Sequence, residues 1–167
     1  MKSSWAYLIH KHQYRESSLI IHLLTQEYGK VSAVARGVRK PKSPLKSLLM
    51  PFLPVSVAFR GSADLLQLTH IEMAQQTPVK LQGTALYCGM YVNELLYYLV
   101  KGQEADERLF MAYNQTLARL VDENSSLILR KIEWMLLECL GYLPNLVEDN
   151  AQKPIVPEAL YRVRPGR

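Results

Sequence analysis

Hydrophobic and polar positions alternate along the first part of the chain. Trp5, Tyr7 and Ile9 alternate with Ala6, Leu8 and His10. Leu19, Ile21 and Leu23 alternate with Ile20, His22 and Leu24, a segment apolar on nearly both faces, which predicts a central strand. Glu27-Tyr28-Gly29-Lys30 reads as a turn in which Gly29 is free to take positive φ. Val31, Ala33 and Ala35 then resume the alternation up to Arg36. Val55, Val57 and Phe59 against Ser56, Ala58 and Arg60 give the cleanest period of two in the chain. Gly61-Ser62-Ala63-Asp64 turns the chain into a further alternating run from Leu65 to Met73. Five short strands, with one long connection between Gly37 and Pro54, suit a small barrel of the OB-fold type. Closure of such a barrel removes the exposed edges of an open sheet.

Near Thr77-Pro78 the period changes to that of helices. Segment 84–101 is apolar on most sides through Leu86, Met90, Val92, Leu95, Leu96 and Leu99, which predicts a buried helix. Phe110, Tyr113, Leu117, Leu120 and Val121 form the stripe of a second helix. Leu129, Ile132, Leu136, Cys139 and Leu140 form that of a third, with Asn124 or Ser125 as its cap and Gly141 at its end. Glu104, Asp106 and Glu107 precede the second helix, where negative charge favours the N-terminal dipole. The expected class is therefore α+β. A five-stranded OB-fold barrel over residues 1–78 leads into an all-α helical domain over 79–147, and a polar tail with Pro154, Pro157 and Pro165 covers 148–167.

Composition narrows the function classes. The 167 residues are 49% hydrophobic and 21% charged, enough apolar material for a core and too little charge for a disordered tail protein. No apolar run is long enough to span a membrane. Met1-Lys2-Ser3-Ser4-Trp5 does not lead into a secretory signal, so a cytoplasmic home is expected. Cys88 and Cys139 lie in apolar, helix-like surroundings and read as buried reduced thiols. The net charge of +5 is unevenly split: residues 1–80 carry 11 Lys and Arg against 4 Asp and Glu, whereas residues 81–167 carry 9 against 11. A polyanion-binding half joined to a helper half fits this balance.

The asymmetry concentrates further. Segment 28–63 contains no Asp or Glu but holds Lys30, Arg36, Arg39, Lys40, Lys42, Lys46 and Arg60. Five of these cations fall within 36–46, and Gly37, Pro41 and Pro44 keep that segment out of regular helix, so an exposed loop is expected. Cations that displace the condensed counterions of a phosphate backbone gain free energy by releasing them. Arg adds bidentate hydrogen bonds to phosphate and Lys adds mobile charge. A basic loop on a small barrel is a common grip on a nucleic-acid strand. A membrane surface or an acidic protein tail would satisfy the same charge, and a solubilising loop is the plainer alternative, although such loops usually mix signs. Tyr7, Tyr14, Tyr28 and Phe59 are available for base stacking, but strand aromatics are more often core.

The same residues carry a resemblance. Tyr14-Arg15-Glu16-Ser17-Ser18-Leu19, Tyr28-Gly29-Lys30-Val31, Ala35-Arg36-Gly37-Val38-Arg39-Lys40-Pro41-Lys42-Ser43, Leu45-Lys46 and Pro51-Phe52 follow in the order of the N-terminal domain of the RecO family. Leu86-Tyr87-Cys88-Gly89-Met90-Tyr91-Val92-Asn93-Glu94-Leu95-Leu96 resembles the family's first long helix, and Leu140-Gly141-Tyr142 with Asn145 resembles the end of a later one. The resemblance implies a bacterial, nucleoid-associated recombination mediator without covalent chemistry or cofactor. Such a protein binds single- and double-stranded DNA, anneals complementary strands and engages the C-terminal tail of single-stranded DNA-binding protein (SSB). With RecR, and in some bacteria RecF, it helps load RecA. The DNA-binding motif carries over onto Arg36, Arg39, Lys40, Lys42 and Lys46, with Lys30 just before it. Arg130 and Lys131 stand where the family places a basic pair for the SSB tail, and an ordinary solvated helix face is the bland alternative. Family members are usually longer, so the end at Arg167 comes early, and either a short form or a fragment fits. Many also carry four zinc-binding cysteines after the helix that ends near Gly141. Segment 148–153 has none, so no zinc is expected.

The remaining chemistry is thin. His10 and His12 share a strand face, but two ligands do not make a metal site and the sequence offers no third. His22 and His70 read as lone structural histidines. Glu16 and Glu72 have no partner base or nucleophile at a defined spacing. No P-loop and no Gly-x-Ser-x-Gly context is present. A nuclease is disfavoured by the lack of a carboxylate cluster for metal. The remaining alternative is an adaptor whose basic loop binds acidic protein tails.

Overall fold

The computed structural model describes residues 3–61, 65–102, 105–121, 125–143, 147–149 and 151–162. Strands β1 (Ser4–Tyr14), β2 (Ser18–Thr25), β3 (Gly29–Ala35), β4 (Pro54–Arg60) and β5 (Leu65–Met73) close into a barrel in the order β1-β2-β3-β5-β4. All neighbours are antiparallel except β3 and β5. This is the OB-fold architecture that the alternation predicts. The turn before β3 forms as expected: Gly29 has φ +63°, and Thr25 Oγ1 donates to Gly29 O at 2.8 Å while accepting from Tyr28 N at 3.0 Å. The expected turn at 61–64 lies largely outside the described residues.

Period-two burial explains the barrel interior. Ile21, Leu23, Val31, Ala33, Ala35 and Val57 are almost completely buried there. The second apolar face of β1 and β2 has another purpose. Tyr7, Ile9 and Leu24 point outward and join the core of the helices. β2 pairs with β1 on one side and β3 on the other, and in the closed barrel no strand is more central than another. β1 departs from simple alternation because its register with β2 shifts between Leu8 and His10. Such a bulge bends the strand and re-phases the residues beyond it. His10 therefore faces outward rather than sharing the inward face of Ala6 and Leu8. Trp5, grouped with Tyr7 and Ile9 by alternation, is exposed.

The long connection is anchored at both ends. Val38 and Leu49 are buried in the barrel interior. Between them a single turn of helix, α1 (Leu45–Leu48), carries Lys46, so the loop expected over 36–46 runs into a helix at its last residues. Phe52 comes next with φ +65° and is buried against the helices.

Helices α2 (Gly83–Leu99), α3 (Glu107–Arg119) and α4 (Ser125–Cys139) come after the barrel. Asp106 caps α3, its Oδ1 accepting from Leu109 N at 3.2 Å. Glu104 and Asn124 lie outside the described residues. α4 ends in a Schellman motif: Gly141 has φ +73°, Gly141 N donates to Glu138 O at 3.0 Å, and Tyr142 N donates to Leu137 O at 2.8 Å. The α3 stripe is buried from Phe110 to Leu120, with Val121 exposed.

The expectation of a buried α2 holds on one side only. Val92, Asn93 and Leu96 are buried, but Leu86, Tyr87, Met90, Tyr91, Tyr98 and Leu99 are exposed. β1 and α4 pack against α2, and the side that carries these exposed residues faces solvent. Gly89 permits close approach on the covered side, since a Cβ there would lie 2.6 Å from Leu81 Cδ1 and 3.0 Å from the Phe52 ring. A polar bridge ties the layers together. Tyr113 Oη donates to Asn93 Oδ1 at 2.6 Å, and Asn93 Nδ2 donates to Leu8 O at 3.5 Å, a long contact reaching β1 at its bulge.

The described tail is irregular. Asp149 holds it, its Oδ1 accepting from Ala151 N and Lys153 N.

Candidate nucleic-acid interface

The pegged connection presents Arg36, Arg39, Lys40, Lys42 and Lys46 to solvent. Local turns set its shape: Gly37 has φ +70°, Lys40 N donates to Gly37 O, and Ser43 N donates to Lys40 O. Arg39 is also fixed from outside. Its backbone N donates to Ser17 O at 3.0 Å, and its guanidinium donates to Arg15 O at 3.1 Å. The β1–β2 turn therefore lies against the basic loop. It adds Arg15, whose guanidinium stands 5.1 Å from the Tyr14 ring centre. Lys11 approaches the far end of the connection, donating to Leu49 O at 2.7 Å.

Arg15 and Lys11 were not singled out from the sequence, although strand pairing contains the signal. Leu19 pairs with Ala35, which puts the turn before β2 beside the residues after β3. Arg60 pairs with Gln67, itself the partner of Val34, so it stands near the start of the same loop. The patch is not acid-free in space, because Glu16 belongs to the neighbouring turn. Among the described residues, no carboxylate pairs with Arg36, Arg39, Lys40, Lys42 or Lys46.

Lys30 does not join this patch. It sits at the opposite end of β3, half-buried, with Nζ donating to Tyr97 O at 2.7 Å. Burial, and then the charge of Lys101, pull its pKa below the ordinary lysine value. An internal brace between β3 and α2 is the role this geometry supports.

The helical domain holds a separate feature. A groove of about 560 Å³ opens between α3 and α4. Ala112, Leu127, Ile128, Ile132 and Met135 line its apolar floor, and Arg119, Arg130 and Lys131 lie along it. Arg130 and Lys131 are both exposed. Arg130 Nη1 contacts Glu133 Oε2 at 2.8 Å, and Glu133 Oε1 accepts from Tyr91 Oη at 2.8 Å. The cation is thereby oriented from α2. An apolar trough with cations beside it can receive an acidic peptide that ends in apolar side chains.

A third cluster contradicts the reading of His22 as a lone histidine. His22 is the ladder partner of His10, and the outward-facing His12 lies diagonally across. The ligating nitrogens of the three lie within 4.8 Å of one another. Burial, followed by His12, His10 and Lys30, pulls His22 down to about pKa 4, so it is neutral at physiological pH. His70 stands apart with Glu72, 3.4 Å away. Cys88 and Cys139 are free thiols as expected, though only partly buried.

Comparison with known proteins agrees with this architecture. The family description "Recombination protein O N terminal" matches residues 1–77, and "Recombination protein O C terminal" matches residues 81–167. The DNA repair protein RecO of Laribacter hongkongensis is 37% identical over 168 residues, covering 99% of this chain and 69% of that protein. That of Tolumonas auensis is 40% identical over 163 residues, covering 96% and 68%. That of Alteromonas mediterranea is 40% identical over 152 residues, covering 89% and 64%. An OB-fold barrel leading into helices, both family descriptions end to end, and relatives matched over nearly the whole of it place this chain in the RecO family.

Proposed function

We propose that this chain is a DNA-binding recombination mediator acting in DNA repair. It binds single- and double-stranded DNA, promotes annealing of complementary strands, and with RecR helps load RecA onto SSB-coated single strands. The observation that carries this reading is the basic edge at 36–46, pegged by Val38 and Leu49 and without a carboxylate partner among the described residues. Arg36, Arg39, Lys40, Lys42 and Lys46 supply its charge, and Arg15 extends it. Lys30, occupied at the other end of β3, does not contribute. The groove between α3 and α4 supports a second contact: Arg130 and Lys131 receive the acidic part of the SSB tail while the floor takes its apolar end.

A labelled oligonucleotide titrated across a salt series tests the first contact by fluorescence anisotropy. Replacing Arg39, Lys40 and Lys42 together by alanine should shrink the slope of log affinity against log salt by roughly 2–3 units. An unchanged slope would remove the loop from the interface. Loss of binding to an acidic peptide, with DNA binding intact, would favour the adaptor reading instead. For the groove, Arg130→Glu should weaken binding of an SSB tail peptide and spare bare DNA. Equal loss of both, or of neither, counts against the assignment.

A further inference from the structure

We propose that His10, His12 and His22 form a binding site for a divalent transition-metal ion, zinc in particular, on the outer face of β1 and β2. Three features assemble the ligands. The antiparallel ladder pairs His10 with His22, and the bulge after Leu8 turns His10 to the same outward face. His12, two residues along β1, shares that face. The ring centres lie 6.1 Å apart for His10 and His12, 5.8 Å for His10 and His22, and 5.5 Å for His12 and His22. Every pair of ligating nitrogens falls within 4.8 Å. Tetrahedral zinc with nitrogen ligands requires about 3.4 Å between them. His10 and His12 are exposed, so side-chain rotation can close that gap without moving the backbone.

His22 is already oriented for ligation. Its Nδ1 meets Ser32 Oγ at 2.9 Å, and Ser32 is its partner on β3. Its Nε2 is buried and has no hydrogen-bond partner, the only such side-chain atom among the described residues. A metal-bound histidine usually engages its second nitrogen in this way, which fixes the tautomer and leaves the other nitrogen free to ligate. Tyr97 supplies a partial roof. Its ring stacks on His10 at 4.1 Å with a 19° interplanar angle and meets His22 edge-on at 4.9 Å.

The donor set selects the class of metal. Three imidazoles suit zinc, nickel or copper, whereas calcium and magnesium need oxygen ligands that are absent from this cluster. The Lys30 ammonium, fixed on the Tyr97 carbonyl, lies near enough to His22 to oppose a cation, so the imidazoles bind the ion against that charge. Three protein ligands leave a tetrahedral ion one open position, for water or another small ligand. The ion would join β1 to β2 beneath the end of α2, stabilising the fold by binding the native state alone.

The tag-free full chain, stripped with chelator, is titrated with zinc against a chromophoric indicator. One equivalent should bind, and the thermal midpoint should rise with zinc. The double variant His10→Ala, His12→Ala should lose binding by about a hundredfold or more and lose the thermal shift. Ser32→Ala should weaken binding by about tenfold. His70→Ala should change neither readout. The metal-free double variant should still unfold in one cooperative urea transition, its midpoint lowered only by loss of the His10–Tyr97 stack, which separates loss of a ligand from loss of the fold. Absence of stoichiometric binding in the parent, or binding retained by the double variant, would overturn the site.

Discussion

The hydroxyl of Tyr113 offers a sharp test of how the helices are fixed to the barrel. Tyr113 is fully buried, and Asn93, which accepts its hydrogen bond at 2.6 Å, is 2% exposed. Burial, then the neighbouring Tyr7, hold the Tyr113 phenol far above its ordinary pKa, so it remains a donor throughout the accessible pH range. Tyr113→Phe keeps the ring and removes only the donor, which strands the Asn93 carbonyl oxygen out of reach of water. An unsatisfied buried acceptor costs about 1–3 kcal/mol. Asn93→Ala should cost more, since it strands the Tyr113 hydroxyl, leaves a void and releases the long contact to Leu8 O. The two losses share one bond, so the double variant should fall short of their sum by about 1–2 kcal/mol. Urea unfolding monitored by circular dichroism measures all four proteins, with each midpoint read at constant slope. Additivity within about 0.5 kcal/mol, or a Tyr113→Phe cost below that, would refute the bridge.

Packing and burial give two further outcomes. Gly89→Ala should destabilise by about 1–3 kcal/mol in the same urea assay, because its Cβ would enter the space of Leu81 and the Phe52 ring. A stabilised variant would mean that alanine's helix propensity outweighs the clash. The Cys139 thiol is pushed up to about 11, by burial first and then by Asp106. At pH 8 only on the order of one thiol in a thousand is then thiolate. In a Cys88→Ser background, iodoacetamide should therefore modify the folded protein far more slowly than the protein in urea. Equal rates would place Cys139 in a different environment.

Much of the fold was legible because burial in a small barrel enforces a strict period. Val55, Val57 and Phe59 had to point inward together, and they do. The apolar second face of β1 and β2 was equally visible, but its meaning was not. Tyr7, Ile9 and Leu24 signal a surface covered by something, and only the structure identifies the cover as the helices. α2 misled for the converse reason. Apolar side chains on most of its surface predict burial on most sides, yet Tyr87, Met90 and Tyr98 face outward. Amphipathic pattern reports what a face can bury, not how many neighbours arrive to bury it.

The candidate sites divide along the same line. The loop at 36–46 could be read directly, because its cations are contiguous and its glycine and prolines keep most of it irregular. Arg15 and His22 could not, since each joins its cluster across a strand ladder. A one-residue bulge on β1 decides the orientation of His10, and simple alternation put that ring on the wrong face. Lys30 shows the opposite error. It lies only six positions before Arg36, but a seven-residue strand carries it to the far end of the barrel, where a carbonyl holds it. On a β-barrel, strand register sets which charges act together, and nearness in sequence counts only within a loop. The spread of cations over the whole stretch 28–63 therefore overstates the size of one interface, while the ladder between β2 and β3, by drawing in Arg15, enlarges the part that remains.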